Sequence, residues 1–226
     1  MAKIHGVAGE WARVKGMVTG LWPLFLGVFA CGFFFAVCVF ASAKVGAVLL
    51  VLSLVGMGWS LARGLRHVER FFKGARGEER VAGILKNLPE TYHVFNDFVA
   101  GRDHVDHVVV GPAGVFAVET KFWRGKVTIE EGHILLDGRL PSRSPLAQAR
   151  KEADEVRVAL ERLGWKGAVT PVLAFASDTF AQHSAELNGA VVMNSCELAA
   201  AFGTQRVVIA PDELNRIVTL MENNQR

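Results

Sequence analysis

The stretch that decides the fold is His104-Val-Asp-His-Val-Val-Val-Gly-Pro-Ala-Gly-Val-Phe-Ala-Val-Glu-Thr-Lys121, with two β-rich runs on either side of a turn cluster. β-branched runs flanking Gly and Pro are typical of a β-hairpin. Side chains alternate between the two faces of a strand, so the residue spacing predicts which of them share a face. The charged residues of both runs fall on one face, and that face is where we expect chemistry.

A four-residue turn closed by Val110 opposite Val115 fixes the rest of the predicted pairing. Counting back two by two, Val108 faces Ala117, and the next pair is Asp106 with Glu119. His104 and Lys121 follow on the same face. The opposite face is predicted to be the core face, filled by Val105, Val109, Phe116 and Val118.

Two carboxylates on directly opposed positions are an unusual feature of a hairpin. Their Cβ atoms would lie about 4.5–5.5 Å apart, where like charges repel. A divalent cation relieves that repulsion, and Mg²⁺ takes one or two carboxylates while keeping several waters. The pattern therefore favours a Mg²⁺ (or Mn²⁺) site at Asp106 and Glu119, with Lys121 stabilising developing negative charge or orienting a water. The alternative is a solvated face on which Glu119 and Lys121 form an ordinary surface pair.

A third acid precedes the hairpin. Glu78 lies three residues before Val81 and seven before Leu85, so it extends the buried stripe of a predicted helix. A buried carboxylate needs a partner, and the metal site could supply one. His104 is open to two interpretations, a metal ligand or a hydrogen-bond donor to substrate.

Helices and strands alternate from Lys73 onward. The order is α-β-β-β, a further hairpin, then α-β-β-α, which predicts an α/β domain with helices packed on a mixed sheet. The predicted elements are a helix ending before Pro89, strands 92–99, 104–110, 115–122, 127–129 and 134–136, helix 148–163, strands 171–176 and 190–193, and helix 211–223.

The N-terminal part is strongly apolar. Residues 21–43 are uncharged over 23 positions and residues 45–62 over 18, which as helices would reach about 34 and 27 Å. A bilayer core is about 30 Å thick, so we expect a transmembrane hairpin turning at Ser42–Lys44. The alternatives are a buried soluble hairpin and a signal peptide cleaved near Ala41-Ser42-Ala43.

Basic residues flank the apolar region at both ends. They predict a cytoplasmic N-terminal segment 1–20, spans 21–43 and 45–62, a juxtamembrane segment 63–73 that binds anionic lipid headgroups, and a cytoplasmic domain 74–226. The flanking cations are Lys3, Arg13 and Lys15 before the spans and Arg63, Arg66, Arg70, Lys73 and Arg76 after them, with Lys44 alone in the turn.

Several function classes lack their signatures. The chain has no GxSxG, HExxH or P-loop motif, and its three cysteines include no CxxC pair. Metal, carboxylates and lysine suffice for phosphodiester hydrolysis. Arg143 and Arg150 lie near Gln148 in sequence and either grip phosphates or form a solvated face.

Residues 74–165 resemble the nuclease-related domain (NERD) family of the wider PD-(D/E)xK nuclease-like superfamily. The resemblance implies a restriction-endonuclease-like fold and Mg²⁺-dependent cleavage of nucleic acid, with DNA as the expected substrate. It also implies a catalytic role for Glu78, Asp106, Glu119, Lys121 and Gln148. The matching stretches are Gly74-Ala-Arg-Gly77-Glu78, Val105 to Pro112, Gly114 to Phe116, Val118 to Lys121, Trp123-Arg124-Gly125 and Pro145-Leu-Ala-Gln148.

Two positions depart from the family pattern, because Phe122 and Ser144 stand where asparagines are expected. The resulting hypothesis is a membrane-anchored, metal-dependent nuclease. One rival is an inactive nuclease-fold module that tethers nucleic acid or a protein to the membrane. Another is a membrane protein whose spans associate through Gly46, Gly56 and Gly58. The sequence leaves the oligomeric state open.

Overall fold

A computed structural model describes residues 1–101, 103–177, 180 and 184–225. The chain forms two compact units, one of residues 1–10 and 74–226 and the other of residues 11–73. The first unit carries the sheet and the candidate site. The elements are β1 Lys3–His5, α1 Glu10–Phe40, α2 Ala43–Leu85, β2 His93–Ala100, β3 Asp103–Gly111, β4 Gly114–Lys121, β5 Val127–Glu130, β6 His133–Leu136, α3 Pro145–Arg162, β7 Val169–Phe175, β8 Ala185–Leu187, β9 Ala190–Asn194, a 3₁₀ turn Ser195–Glu197, α4 Leu198–Gly203 and α5 Pro211–Asn224.

Seven strands form one mixed sheet in the order β1-β2-β3-β4-β7-β9-β8. β2, β3 and β4 are antiparallel to one another, and β1 pairs in parallel with β2. β7 and β9 continue in parallel from β4, and β8 is antiparallel to β9. β5 and β6 form a separate two-stranded sheet. The predicted α/β class, with helices on a mixed sheet, is confirmed.

The central hairpin adopts the predicted register over most of its length. Val110 pairs with Val115, and the β3–β4 pairing ends at His107 with Val118. On the neighbouring strand β2, Asp97 follows Asn96, the partner of His107, and has a φ of 49°. This left-handed conformation is one that Asp tolerates better than most residues. The ladder is therefore interrupted beside the predicted acidic pair.

Helices cover both faces of the sheet, which corrects the expectation of a single core face on the hairpin. α3 and α5 pack on one face, where Val108 and Ala117 are buried. The end of α2 and α4 pack on the other face, against Val109 and Val118. The acidic residues therefore lie at the end of a buried layer.

The second unit is an antiparallel pair of helices formed by α1 and most of α2. Gly20 and Gly64 allow close backbone approach, since a Cβ added at Gly64 would lie 2.1 Å from the Gly20 carbonyl oxygen. Gly46 packs on Cys38 within this pair. Both helices are long and apolar enough to cross a membrane. They are therefore candidate membrane spans, longer than the predicted apolar segments because each continues into polar sequence.

The short elements β1, β8 and α4 and the 3₁₀ turn Ser195–Glu197 were not anticipated. β1 lies before both apolar helices and pairs in parallel with β2, with Lys3 opposite His93 and His5 opposite Phe95. The chain therefore contributes a strand to the sheet, leaves it through the helical pair, and returns to the same sheet.

Candidate active site

The site begins where the β3–β4 ladder ends. Asp106 and Glu119 do not form the predicted directly opposed pair. Instead, the Asp106 carboxylate accepts a hydrogen bond from the backbone N–H of Thr120 at 2.8 Å. A side chain thus replaces the strand partner of that N–H, because backbone donors removed from water require acceptors. This bond holds Asp106 beside Thr120, the residue that follows Glu119.

Lys121 lies at the centre of the polar network. Its ammonium forms an ion pair with Glu119 and donates a hydrogen bond to the Gln148 side-chain oxygen at 2.9 Å. Glu119 is only 3% exposed, and the Lys121 side chain is 19% exposed. The structure therefore brings Glu119, Lys121 and Gln148 together.

Glu152 is a member of this group that sequence reasoning missed. It lies one turn after Gln148 on α3, and its carboxylate accepts a hydrogen bond from the Gln148 side-chain amide at 2.9 Å. Glu152 is buried, and its second oxygen has no hydrogen-bond partner among the residues described. The i, i+4 spacing from Gln148 is the signal that could have identified it.

Glu78 approaches from α2 and is buried, as its position on the helical stripe predicted. The backbone N–H of Gly9 donates a hydrogen bond to its carboxylate. Its Oε2 atom lacks a partner within the described part of the chain. A buried carboxylate oxygen without a donor is costly unless a cation or water satisfies it.

The acids perturb one another's protonation. Burial, together with the charges of Glu119, Glu78 and Glu152, raises the pKa of Asp106 well above its usual value. Burial is also the main cause that raises the pKa of Glu78 to about 7 and that of Glu152 to about 9. Strongly shifted pKa values in a group of convergent side chains are typical of functional sites.

Lys121 responds in the opposite sense. Burial acts to lower its pKa, but the charge of Glu119 and its hydrogen bond outweigh burial and raise the pKa overall. Lys121 therefore stays protonated. One ammonium thus faces four carboxyl groups, which makes the site strongly attractive to further positive charge.

The three residues predicted to bind substrate are placed differently. His104 lies half-buried on β3, opposite Val99. Arg143 is exposed in the loop before α3. Arg150 is two positions from Gln148, about 200° around the helix, and donates to the Asn188 carbonyl oxygen at 3.4 Å. The structure does not bring Arg150 to the acidic group.

The donor set suits a hard cation. Mg²⁺ and Mn²⁺ prefer carboxylate oxygens, and two buried oxygens, one on Glu78 and one on Glu152, lack partners among the described residues. The arrangement is not a finished cage, since no set of three His, Cys, Asp or Glu side chains in the described ranges is arranged to hold a metal ion. The Lys121–Glu119 ion pair is one reason, because it engages an oxygen that a cation would use.

Comparison with known proteins identifies one domain. Residues 73–176 match the model of the nuclease-related domain (NERD) family, a segment that includes Glu78, Asp106, Glu119, Lys121 and Gln148. It also includes Glu152. No curated protein and no solved structure matches the chain.

Proposed function

We propose, on the premise that residues 73–176 form a nuclease-related domain, that this protein is a membrane-anchored, divalent-metal-dependent nuclease. It would hydrolyse phosphodiester bonds of nucleic acid, with DNA as the expected substrate. The observation that carries the proposal is the group of four carboxyl side chains around Lys121 and Gln148, of which Glu78, Glu119 and Glu152 are buried and Asp106 is half-buried. Such a group is costly to bury in a purely structural role.

Asp106 and Glu119 would hold Mg²⁺ or Mn²⁺, and Glu78 would assist them. The bound ion would polarise the scissile phosphate and lower the pKa of a coordinated water. Glu119 must then share its carboxylate between the ion and Lys121.

Lys121 is suited to the transition state because it stays protonated in a largely buried site. Its ammonium can stabilise the charge that develops on the phosphate oxygens or orient the attacking water. Gln148 accepts a hydrogen bond from this ammonium and so limits its position. Glu152 accepts a hydrogen bond from the amide nitrogen of Gln148. The amide oxygen is therefore the end that faces Lys121.

The substrate contacts in the proposal come from His104 and Arg143. Arg143 is exposed just before the helix that carries Gln148, where it can contact a backbone phosphate. Arg150 would reach only a phosphate on the Asn188 side of α3.

The proposal places the domain on the cytoplasmic face. Basic residues predominate on both flanks of the candidate spans, and the cytoplasmic side is the one that retains such residues. The basic segment after the second span would also bind anionic lipid headgroups.

Cleavage by the full chain in nanodiscs tests the enzyme. Plasmid and linear DNA are incubated with Mg²⁺, with Mn²⁺ and with chelator. Lys121→Ala should lower cleavage by at least about 100-fold, since an electrostatic donor to the transition state is worth that much. Lys151→Ala is the matched control, because Lys151 pairs with Asp103 and Glu155 on the exposed side of α3. Equal cleavage by both variants, or metal-independent cleavage, would remove the enzyme proposal.

A second candidate function is a catalytically inactive module that tethers nucleic acid to the membrane. The observation that favours it is the Lys121–Glu119 ion pair, which already neutralises one of the acids that would bind metal. Titration calorimetry with Mn²⁺ separates the two functions. The tethering module binds DNA without metal uptake, whereas in the nuclease Asp106→Asn or Glu119→Gln abolishes metal uptake.

A further inference from the structure

Residues 1–10, here called the N-terminal strap, are an integral part of the domain although they lie outside the matched segment. The Ala2 N–H donates to the Lys86 carbonyl at 3.1 Å, and the Lys3 N–H donates to the Tyr92 carbonyl at 2.9 Å. These bonds join the strap to the end of α2 and to the start of β2. The strap therefore forms one edge of the sheet.

Beyond β1, the strap crosses from the sheet edge to the acidic site. The Asn96 side-chain amide donates to the Gly6 carbonyl at 3.3 Å. The Gly9 N–H then donates to the Glu78 carboxylate. The next residue, Glu10, donates its backbone N–H to the Asp97 carboxylate at 2.8 Å. Two successive backbone donors of the strap thus hold two acids.

The path of the strap requires glycine at its closest approach. Gly9 has φ of 73°, and a Cβ added there would lie 2.8 Å from the Ala75 Cβ. Gly6 has φ of 75°, and its added Cβ would lie 2.6 Å from the Asn96 carbonyl oxygen. Left-handed backbone and contacts this short exclude other residues without a shift of the chain.

We propose that the N-terminal strap is a positioning element of the acidic site, holding Glu78 in the geometry that binds the divalent cation and fixing Asp97 on the adjoining strand β2. The proposal rests on the proposed metal-dependent function. Its physical basis is that Glu78 needs its orientation fixed by neighbouring donors if its unpartnered oxygen is to face the cation. Partners that orient a metal ligand are worth about 10- to 100-fold in metal affinity.

The test uses the full chain in phosphatidylcholine nanodiscs and compares Gly9→Ala with Gly132→Ala. Gly132 is the matched control, since it has φ of 77° and no other atom within 4 Å among the described residues. Mn²⁺ affinity is measured by calorimetry well below the melting temperature. Gly9→Ala should weaken Mn²⁺ binding about 10- to 100-fold, with Gly132→Ala close to wild type. Equal affinities would overturn the positioning role, even if Gly9→Ala melts earlier.

A second pair of variants avoids backbone strain at glycine. Asp97→Gly removes the acceptor of the Glu10 N–H and adopts the left-handed φ of 49° freely, whereas Asp97→Asn keeps an oxygen acceptor and tolerates the same conformation. Weaker Mn²⁺ binding for Asp97→Gly than for Asp97→Asn supports the strap. Equal binding by the two variants contradicts it.

The outcome also separates the strap from the nuclease proposal. If wild type takes up no Mn²⁺, the metal-dependent function fails, and hydrogen exchange decides the strap. Gly9→Ala should then speed exchange of the helical peptide that carries Glu78 more than Gly132→Ala does. If both variants exchange alike, the strap does not position Glu78.

Discussion

Glu152 fixes the orientation of Gln148, and Gln148 in turn contacts Lys121. Removing the acceptor with Glu152→Ala should let the amide rotate and lower kcat for DNA cleavage by about 10- to 100-fold. KM should change little, because Glu152 contacts another side chain and not the substrate. Glu152→Gln keeps an acceptor oxygen and should retain most of the activity. Glu161→Ala, on the exposed side of the same helix, is the control. Equal kcat for Glu152→Ala and Glu161→Ala would refute this role.

The raised pKa values of Glu78 and Glu152 predict a pH-dependent stability of the metal-free protein. The ordinary pKa of a glutamate is 4.5, and the folded-state pKa is about 7 for Glu78 and about 9 for Glu152. Between these pH values the folded state binds more protons than the unfolded state. Stability is therefore full below pH 4.5 and falls as pH rises through 7 and 9. The loss is at most about 1.4 kcal/mol per pH unit for each titrating group.

The measurement is the melting temperature between pH 7 and 9 with chelator. Burial lowers the pKa of His107 to about 3, so this residue makes the stability rise with pH, but only below its ordinary pKa of 6.5. Mg²⁺ should reduce the slope, because it binds the ionised carboxylates. Glu152→Gln should flatten the slope and Glu161→Gln should not. A melting temperature that stays constant from pH 7 to 9 would contradict the prediction.

The positions of the residues in the candidate site were predictable to the extent that spacing encodes them. Strand alternation identified Asp106, Glu119 and Lys121, and helical spacing identified the buried Glu78. Glu152 escaped because a glutamate on an amphipathic helix is ordinarily solvated. Only the packing of α3 on the end of β4 takes it out of water. The family resemblance supplied Gln148, which periodicity alone does not single out.

Among the elements, α3 depends on its first turn. The Ser144 hydroxyl accepts the Ala147 N–H at 3.2 Å, and Pro145 begins the helix. Ser144→Ala should lower the free energy of unfolding by about 1 kcal/mol and reduce cleavage several-fold, since Gln148 lies in this turn. Chemical denaturation and cleavage assays measure both effects. Ser144→Asn retains a capping oxygen and should behave like wild type, and a loss equal to that of Ser144→Ala would show that capping is not the cause.

The hairpin register was predictable from alternation, but its end was not. Turn residues and valines fixed the pairing from the turn to His107 and Val118. The left-handed conformation of Asp97 and the side-chain bond from Asp106 to Thr120 then interrupt the ladder. Both depend on contacts between elements. β1, β8 and α4 escaped prediction because elements of three to six residues carry too few positions to show a period.

For the whole molecule, strand pairing constrains membrane topology. β1 precedes both candidate spans and pairs with β2 after them. If both helices cross a membrane, this pairing predicts that both flanks lie on the same side. With Cys31 and Cys38 replaced by Ala, a membrane-impermeant maleimide should label Cys196 only after cells are lysed. Ser42→Cys, made with Cys196→Ala, should be labelled in intact cells. Labelling of Cys196 in intact cells would contradict a cytoplasmic domain.

The mixed fold followed from the order of elements, whereas the role of the first ten residues did not. Lys3 and His93 pair although the whole helical hairpin separates them in sequence. No local sequence pattern indicates so distant a partner. Cleavage near Ala41-Ser42-Ala43 would remove β1 and Gly9 together.

The pairing of residue 3 with residue 93 also dictates an order of assembly on the ribosome. At about 5–20 residues per second, the nascent chain exposes β1 roughly 5–20 s before β2 is made. If α1 and α2 span a membrane as proposed, both enter the bilayer during that interval, before the partner strand of β1 has been made. Under the proposed anchoring, the sheet gains the β1–β2 pairing only after both spans have been inserted, so folding of this domain would follow delivery of the chain to the membrane.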